Sequence, residues 1–127
     1  ASYTMIETDG DLVEKGSKAW PHPRSFGAFP RVIARYVRDL KVLTLEEAVK
    51  KMTSMPADQL RQTDLGRLKE GAWADIIIFD QNRIRDVATY LQPKELSEGI
   101  DDMIISGQLV IDEGQLTGAT PGRWIRN

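Results

Sequence analysis

The 127 residues contain no cysteine and a single histidine, His22. Without cysteine there is no disulfide framework, no thiolate nucleophile and no cysteine-based zinc site. Zinc sites draw three or four ligands from His, Cys and carboxylates, so one histidine argues against a self-contained catalytic zinc site. A Ser-His-Asp site could use His22, but nothing else in the chain supports one. A carboxylate-only site stays open. There is also no cationic excess: 17 Lys and Arg face 19 Asp and Glu, for a formal net charge of -2. That balance argues against nucleic acid or an anionic membrane as partner. No apolar run approaches the roughly 20 residues that span a bilayer. The start is not signal-like, and neither G-x-x-x-x-G-K-S/T nor G-x-G-x-x-G occurs. Repeats and low-complexity segments are absent. By length this is one ordinary domain.

What is there changes character along the chain. Up to Phe29 it reads as irregular, with a short strand at Tyr3–Ile6 and a turn at Thr8-Asp9-Gly10-Asp11. Trp20 to Arg24 reads as extended, because each proline pushes its predecessor out of the α region. Pro30 suits a helix's first turn, and Phe29, Val32, Ile33, Tyr36, Val37 and Leu40 follow helical spacing. Arg31, Arg35 and Arg38 fall mainly on the opposite, solvated face. Thr44 and Glu47 form a capping box that opens a second helix with the stripe Leu45, Ala48, Val49 and Met52. Glu46–Lys50 and Glu47–Lys51 are i,i+4 pairs on it. Pro56 interrupts that helix and can begin a short third one, to about Leu60.

Beyond Thr63 the pattern is β. Ala74–Asp80 carries four consecutive apolar residues and predicts a strand buried on both faces. Residues 81–99 lack periodicity and read as a long connection. Met103–Ile105 and Leu109–Ile111 flank Ser106-Gly107-Gln108 as a hairpin, and Asp112-Glu113-Gly114 ends its second strand. Trp20, Trp73 and Trp124 are too scattered for a stacking platform and read as packing residues. Helices followed by strands predict an α+β arrangement or pieces of two domains.

Two places could carry chemistry. Asp9 and Asp11 sit in a glycine turn after a possible strand, where a carboxylate can act as base or metal ligand, or simply be part of a polar turn. His22 lies between two prolines beside Arg24, whose planar fork suits a carboxylate. The same residues also fit a rigid surface loop with an incidental histidine.

A resemblance bears on both. Gly66–Asp80, with Gly71, Ala74 and Asp75, resembles the G-x-I/L-x-x-G-x-x-A-D-I/L-I/V-I/V-x-D signature of amidohydrolase-superfamily enzymes. Ile104–Val110 resembles their V-x-V-N-G-x-x-V hairpin, with Ser106 in place of the usual Asn. Upstream, Thr8-Asp9-Gly10, Pro21-His22-Pro23-Arg24, Phe29-Pro30-Arg31-Val32 and Glu46–Thr53 are similar to the N-acyl-D-amino-acid deacylases, or D-aminoacylases. The likeness runs from about Met5 to Arg123.

The resemblance implies a fold and a reaction. Residues 1–62 would be the last strand and helices of a (β/α)8 barrel, and 63–127 part of a small β-sandwich domain. The complete protein would be a cytoplasmic, zinc-dependent hydrolase. It would cleave N-acyl-D-amino acids to a carboxylate and a D-amino acid. Asp9 would be the catalytic acid/base and a weak or shared metal ligand; Arg24 would hold the substrate carboxylate, with His22 supporting it. Asp75 would tie a turn rather than catalyse. The remaining ligands would lie upstream, so the chain is expected to be a C-terminal fragment, inactive alone and without zinc of its own. It would associate with the missing part or with itself. The competing expectation is a non-catalytic, self-associating or anion-binding module.

Overall fold

The computed structural model describes residues 1–14 and 16–125. Helix α1 (Arg24–Arg31), a π-helical segment (Val32–Asp39), α2 (Leu45–Met52) and α3 (Ser54–Gln59) come first. Strands β1 (Ile76–Phe79), β2 (Ile100–Ile105), β3 (Gln108–Asp112) and β4 (Gln115–Leu116) follow. The class is α+β, with one antiparallel sheet in the order β1-β2-β3-β4.

Helix α1 starts earlier than the apolar spacing implies. Pro23 has φ -53° and ψ -24°, so Arg24 is helical and not extended. Proline constrains the residue before it, while its own φ already suits a helix. Pro30 therefore lies inside α1 rather than in its first turn. A proline there cannot donate to the carbonyl four residues back, which is that of Phe26. The Ser97 hydroxyl donates to that carbonyl instead, at 2.8 Å. Beyond Pro30 the winding widens to i→i+5 bonding, as in Leu40 N–H to the Arg35 carbonyl at 2.9 Å. Three successive residues, Val32, Ile33 and Ala34, are buried there, while Phe29, Tyr36 and Leu40 of the expected stripe stay partly exposed.

Two arginines of this helix are anchored across the chain, while Arg35 is exposed as expected. Arg31 pairs with Asp86 at 2.7 Å, which pushes its pKa up through the hydrogen bond and the charge. Arg38 donates to the carbonyls of Gln81 and Ile84 at 3.2 and 2.8 Å. Both partners lie in residues 81–99, a stretch with no periodicity to announce them. That stretch also supplies Ile84, the largest fully buried side chain.

The capping box of α2 forms as its sequence predicts: Thr44 Oγ1 accepts from Glu47 N–H, and Glu47 Oε2 from Thr44 N–H. Lys51 turns inward instead of pairing with Glu47. It is buried, and its Nζ donates to the carbonyls of Ala1 and Thr4 at 2.7 and 2.6 Å and to Thr4 Oγ1 at 3.1 Å. Ile6 N–H donates to the Lys51 carbonyl at 3.1 Å. The segment predicted as a strand at Tyr3–Ile6 is thus irregular backbone tied to α2.

The sheet departs from its sequence pattern in two places. β1 pairs only with β2, and Ile77 and Ile78 are 44% and 49% exposed, so it is an edge strand and not buried on both faces. The predicted hairpin forms, with a two-residue turn at Ser106 (φ 51°) and Gly107 (φ 78°). A second such turn, Glu113 (φ 46°) and Gly114 (φ 78°), starts β4 where the sequence suggested only an end. Both are the left-handed pairs that two-residue hairpins require. Asp75 Oδ1 accepts from Ser106 N–H at 2.7 Å, so its carboxylate ties that turn. Arg123 completes the corner: it donates to Ser106 Oγ at 2.8 Å and lies 3.4 Å over the Trp73 ring. Trp73 is a packing residue; Trp20 and Trp124 are 71% and 89% exposed and are not.

The seam between helices and sheet can be opened at two positions. Ser97→Ala leaves the Phe26 carbonyl without its side-chain donor and should cost about 1–3 kcal/mol in chemical denaturation. A Cβ at Gly99, which has φ 83°, would sit 2.4 Å from the Ile84 nitrogen. Gly99→Ala should therefore cost roughly 3 kcal/mol or more in the same assay, through backbone strain and overpacking together.

Candidate active site at the Asp9 turn and the start of helix α1

The Thr8–Asp11 turn is seated on the first turn of α1. Thr8 Oγ1 donates to the Arg24 carbonyl at 2.8 Å, and Asp11 N–H donates to Ser25 Oγ at 3.0 Å. A Cβ at Gly10 would lie 2.9 Å from Ser25 Cα, so glycine permits this approach. Asp9 adopts φ 45°, a left-handed conformation that Asp tolerates better than most residues. The result is an ion pair, Asp9 Oδ2 to Arg24 Nη2 at 2.7 Å. Its side chains remain 73% and 44% exposed.

His22 stands behind Arg24. Its Nδ1 accepts the Arg24 backbone N–H at 3.0 Å, and its Nε2 meets the Tyr90 hydroxyl at 2.9 Å. The two rings pack edge to face with centroids 5.1 Å apart. Both ring nitrogens are therefore engaged within the chain. Trp20 Nε1 donates to the Tyr90 carbonyl at 3.1 Å, and Lys94 Nζ to the Ser17 carbonyl. Thus Asp9, Arg24 and His22 are neighbours: Arg24 carries Asp9 on its guanidinium and His22 on its backbone. Asp11 contributes a backbone donor. Thr8 entered the sequence reading only as part of the turn motif, and Ser25 and Tyr90 not at all. Thr8 and Ser25 are local hydrogen-bonding residues of ordinary type, and Tyr90 lies in an aperiodic stretch far along the chain.

Chemically, the arrangement offers an exposed carboxylate beside a cationic fork. Among the described residues there is no group of three or more His, Cys, Asp or Glu that could hold a metal ion. Zinc does not fit these residues alone.

The chain as a whole has counterparts among known proteins. The family model for the amidohydrolase family matches residues 11–111, and the chain belongs to that family. The match takes in His22 and Arg24; Asp9 lies two residues before it. The chain is 44% identical over 122 residues to an N-acyl-D-glutamate deacylase of Alcaligenes xylosoxydans xylosoxydans, covering 96% of this chain and 24% of that protein. A crystal structure of D-aminoacylase, described as defining a novel subset of amidohydrolases, superposes with a TM-score of 0.82 at 37% identity, over 91% of this chain and 24% of that one. N-acyl-D-glutamate deacylase from Bordetella bronchiseptica, solved with zinc and a phosphonate mimic of the tetrahedral intermediate, gives 0.76 at 40% identity, over 84% and 22%. The chain thus spans about a quarter of the length of these relatives.

The Asp9–Arg24 pair is exposed, and exposed pairs contribute about 0–1 kcal/mol. Asp9→Asn and Arg24→Gln should each shift the denaturation midpoint by no more than that corresponds to. A larger loss would mark the pair as structural.

Proposed function

We propose that this chain is part of a hydrolase that cleaves the amide bond of N-acyl-D-amino acids to a carboxylate and a D-amino acid. The observation that carries the reading is the Asp9–Arg24 contact at 2.7 Å, in a chain 44% identical to an N-acyl-D-glutamate deacylase. In the reaction, water adds to the amide carbon, the C–N bond breaks and the nitrogen gains a proton. Asp9 takes the water's proton and returns it to nitrogen, which needs only a carboxylate within hydrogen-bond reach. Arg24 binds the substrate's free carboxylate, a group matched to its fork. Asp9 already occupies one side of that fork, so the substrate carboxylate shares it or displaces Asp9. An anion-binding module without catalysis is the weaker reading, because it has no use for a carboxylate set directly on its anion-binding arginine.

In this proposal residues 1–62 belong to a (β/α)8 barrel and 63–127 to a small β domain. Zinc enters only in the complete protein, with Asp9 as a weak or shared ligand and the other ligands upstream of these 127 residues. A cavity of about 600 Å³ between helices and sheet supports association with further chain. It is apolar, lined by Phe29, Ile33, Met52, Ile76, Met103 and Ile104 among others.

Hydrolysis of N-acetyl-D-glutamate and of neutral N-acetyl-D-amino acids by the complete protein with zinc tests the reading. Asp9→Asn should lower kcat by about 10²–10⁴-fold, and Arg24→Ala should mainly raise KM. Asp9→Asn activity within tenfold of the parent would sink the acid/base role. The isolated 127-residue chain should be inactive with or without added zinc; robust turnover would show the site to be complete as it stands.

A further inference from the structure

Arg24 is held at three points. Thr8 takes its carbonyl and Asp9 its guanidinium, at 2.8 and 2.7 Å. His22 Nδ1 takes its N–H at 3.0 Å. The third hold depends on which nitrogen of His22 carries the proton. Nδ1 can accept only if it is unprotonated, so in the neutral ring the proton sits on Nε2. That N–H points at the Tyr90 hydroxyl, 2.9 Å away.

Tyr90 is itself fixed. Its turn is closed by Thr89 N–H to the Gln92 carbonyl and by Gln92 N–H to Thr89 Oγ1, both at 3.0 Å. The loop before Arg24 grips this turn in two further places, through Trp20 on the Tyr90 carbonyl and through Lys94 on the Ser17 carbonyl. Tyr90 is 71% exposed. Burial therefore does not explain its hydroxyl being aimed at a histidine 68 residues away, whose other nitrogen supports Arg24.

We propose that Tyr90 is a positioning residue for Arg24. Its hydroxyl oxygen accepts a hydrogen bond from Nε2–H of His22 and keeps Nδ1 unprotonated to accept the first helical N–H. The direction of the guanidinium, and hence its grip on a substrate carboxylate, then depends on a residue of the 81–99 connection. This rests on the deacylase reading, and it adds a residue from the second half of the chain to a site otherwise built from the first.

A cycle between Tyr90 and Arg24 in the complete protein tests it. Tyr90→Phe keeps the ring and removes only the hydroxyl, so folding should survive. KM for N-acetyl-D-glutamate should rise roughly three- to tenfold, the size expected for one hydrogen bond, with kcat unchanged. In an Arg24→Ala background the same change should leave kcat/KM where it was. Equal losses in both backgrounds, a loss confined to kcat, or no loss at all would each overturn the proposal.

If the parent protein hydrolyses no N-acyl-D-amino acid, the deacylase reading fails first. The pairing is then judged from the His22 ring, the sole histidine of the 127 residues. Its ring ¹⁵N signals should report the Nε2–H tautomer and move toward a tautomer mixture in Tyr90→Phe. An Nδ1–H pattern, or a pattern that Tyr90→Phe leaves unchanged, would overturn the pairing.

Discussion

The carbonyl of Phe26 is the point on which the two halves of the molecule depend. Pro30 cannot bond to it, and a carbonyl withdrawn from water without a donor is costly in proportion to its burial; this one is partly buried. The donor arrives from Ser97, 71 residues along the chain. One turn beyond, Arg31 reaches Asp86, and beyond that Arg38 reaches the Ile84 carbonyl. A Cβ at Gly27 would strike the Asp86 side chain at 2.7 Å, and one at Gly99 would strike the Ile84 backbone, so glycine permits close approach at both places. The stretch 81–99 is therefore a seam. It lays its polar groups on a helix that a proline has left short of a donor, and it buries Ile84 between the halves.

The second lock is smaller and explains a sequence signature in physical terms. In Ala74-Asp75, the backbone carbonyl of Ala74 accepts Gly107 N–H and the side chain of Asp75 accepts Ser106 N–H. Two consecutive residues thus satisfy both N–H groups of a tight turn whose φ values are positive. Ser106 replaces the more tolerant Asn at a left-handed position. Its hydroxyl compensates by accepting from Arg123, which also approaches Asp75 at 3.6 Å. The Asp75 carboxylate is engaged in the fold, by the Ser106 N–H of the turn and by Arg123.

The sequence was most legible where the deciding forces are local. The capping box of Thr44 and Glu47, the Ser106-Gly107 turn and the helix-then-strand order each follow from short-range chemistry, and each is present. Asp9 and Arg24 came into view as separate motifs, one in a glycine turn and one after two prolines. Nothing in their spacing said that they touch. What stayed illegible depends on contacts across the chain. Helix α1 began six residues before Pro30 because Pro23 could start it, and Pro30 could remain inside because Ser97 was available. Lys51 looked like half of an i,i+4 pair, yet three oxygens of the first four residues drew it inward. Ile77 and Ile78 looked doubly buried, because an apolar run does not reveal whether a strand has one neighbour or two.

Asp9 and Arg24 are exposed and of opposite charge, so their attraction is screened and weak, and either can exchange its partner at little cost. Their supports are of another kind. Thr8, Ser25 and His22 bind backbone groups of the turn and of the helix start. Those bonds are directional and do not depend on what the Arg24 fork is holding. A site that must release one carboxylate to admit another needs this division: fixed backbones beneath, and a weak, exchangeable ion pair above. In the proposed hydrolase the Asp9–Arg24 contact would occupy the two charged groups between turnovers. A substrate carboxylate entering the fork would then free Asp9 for proton transfer.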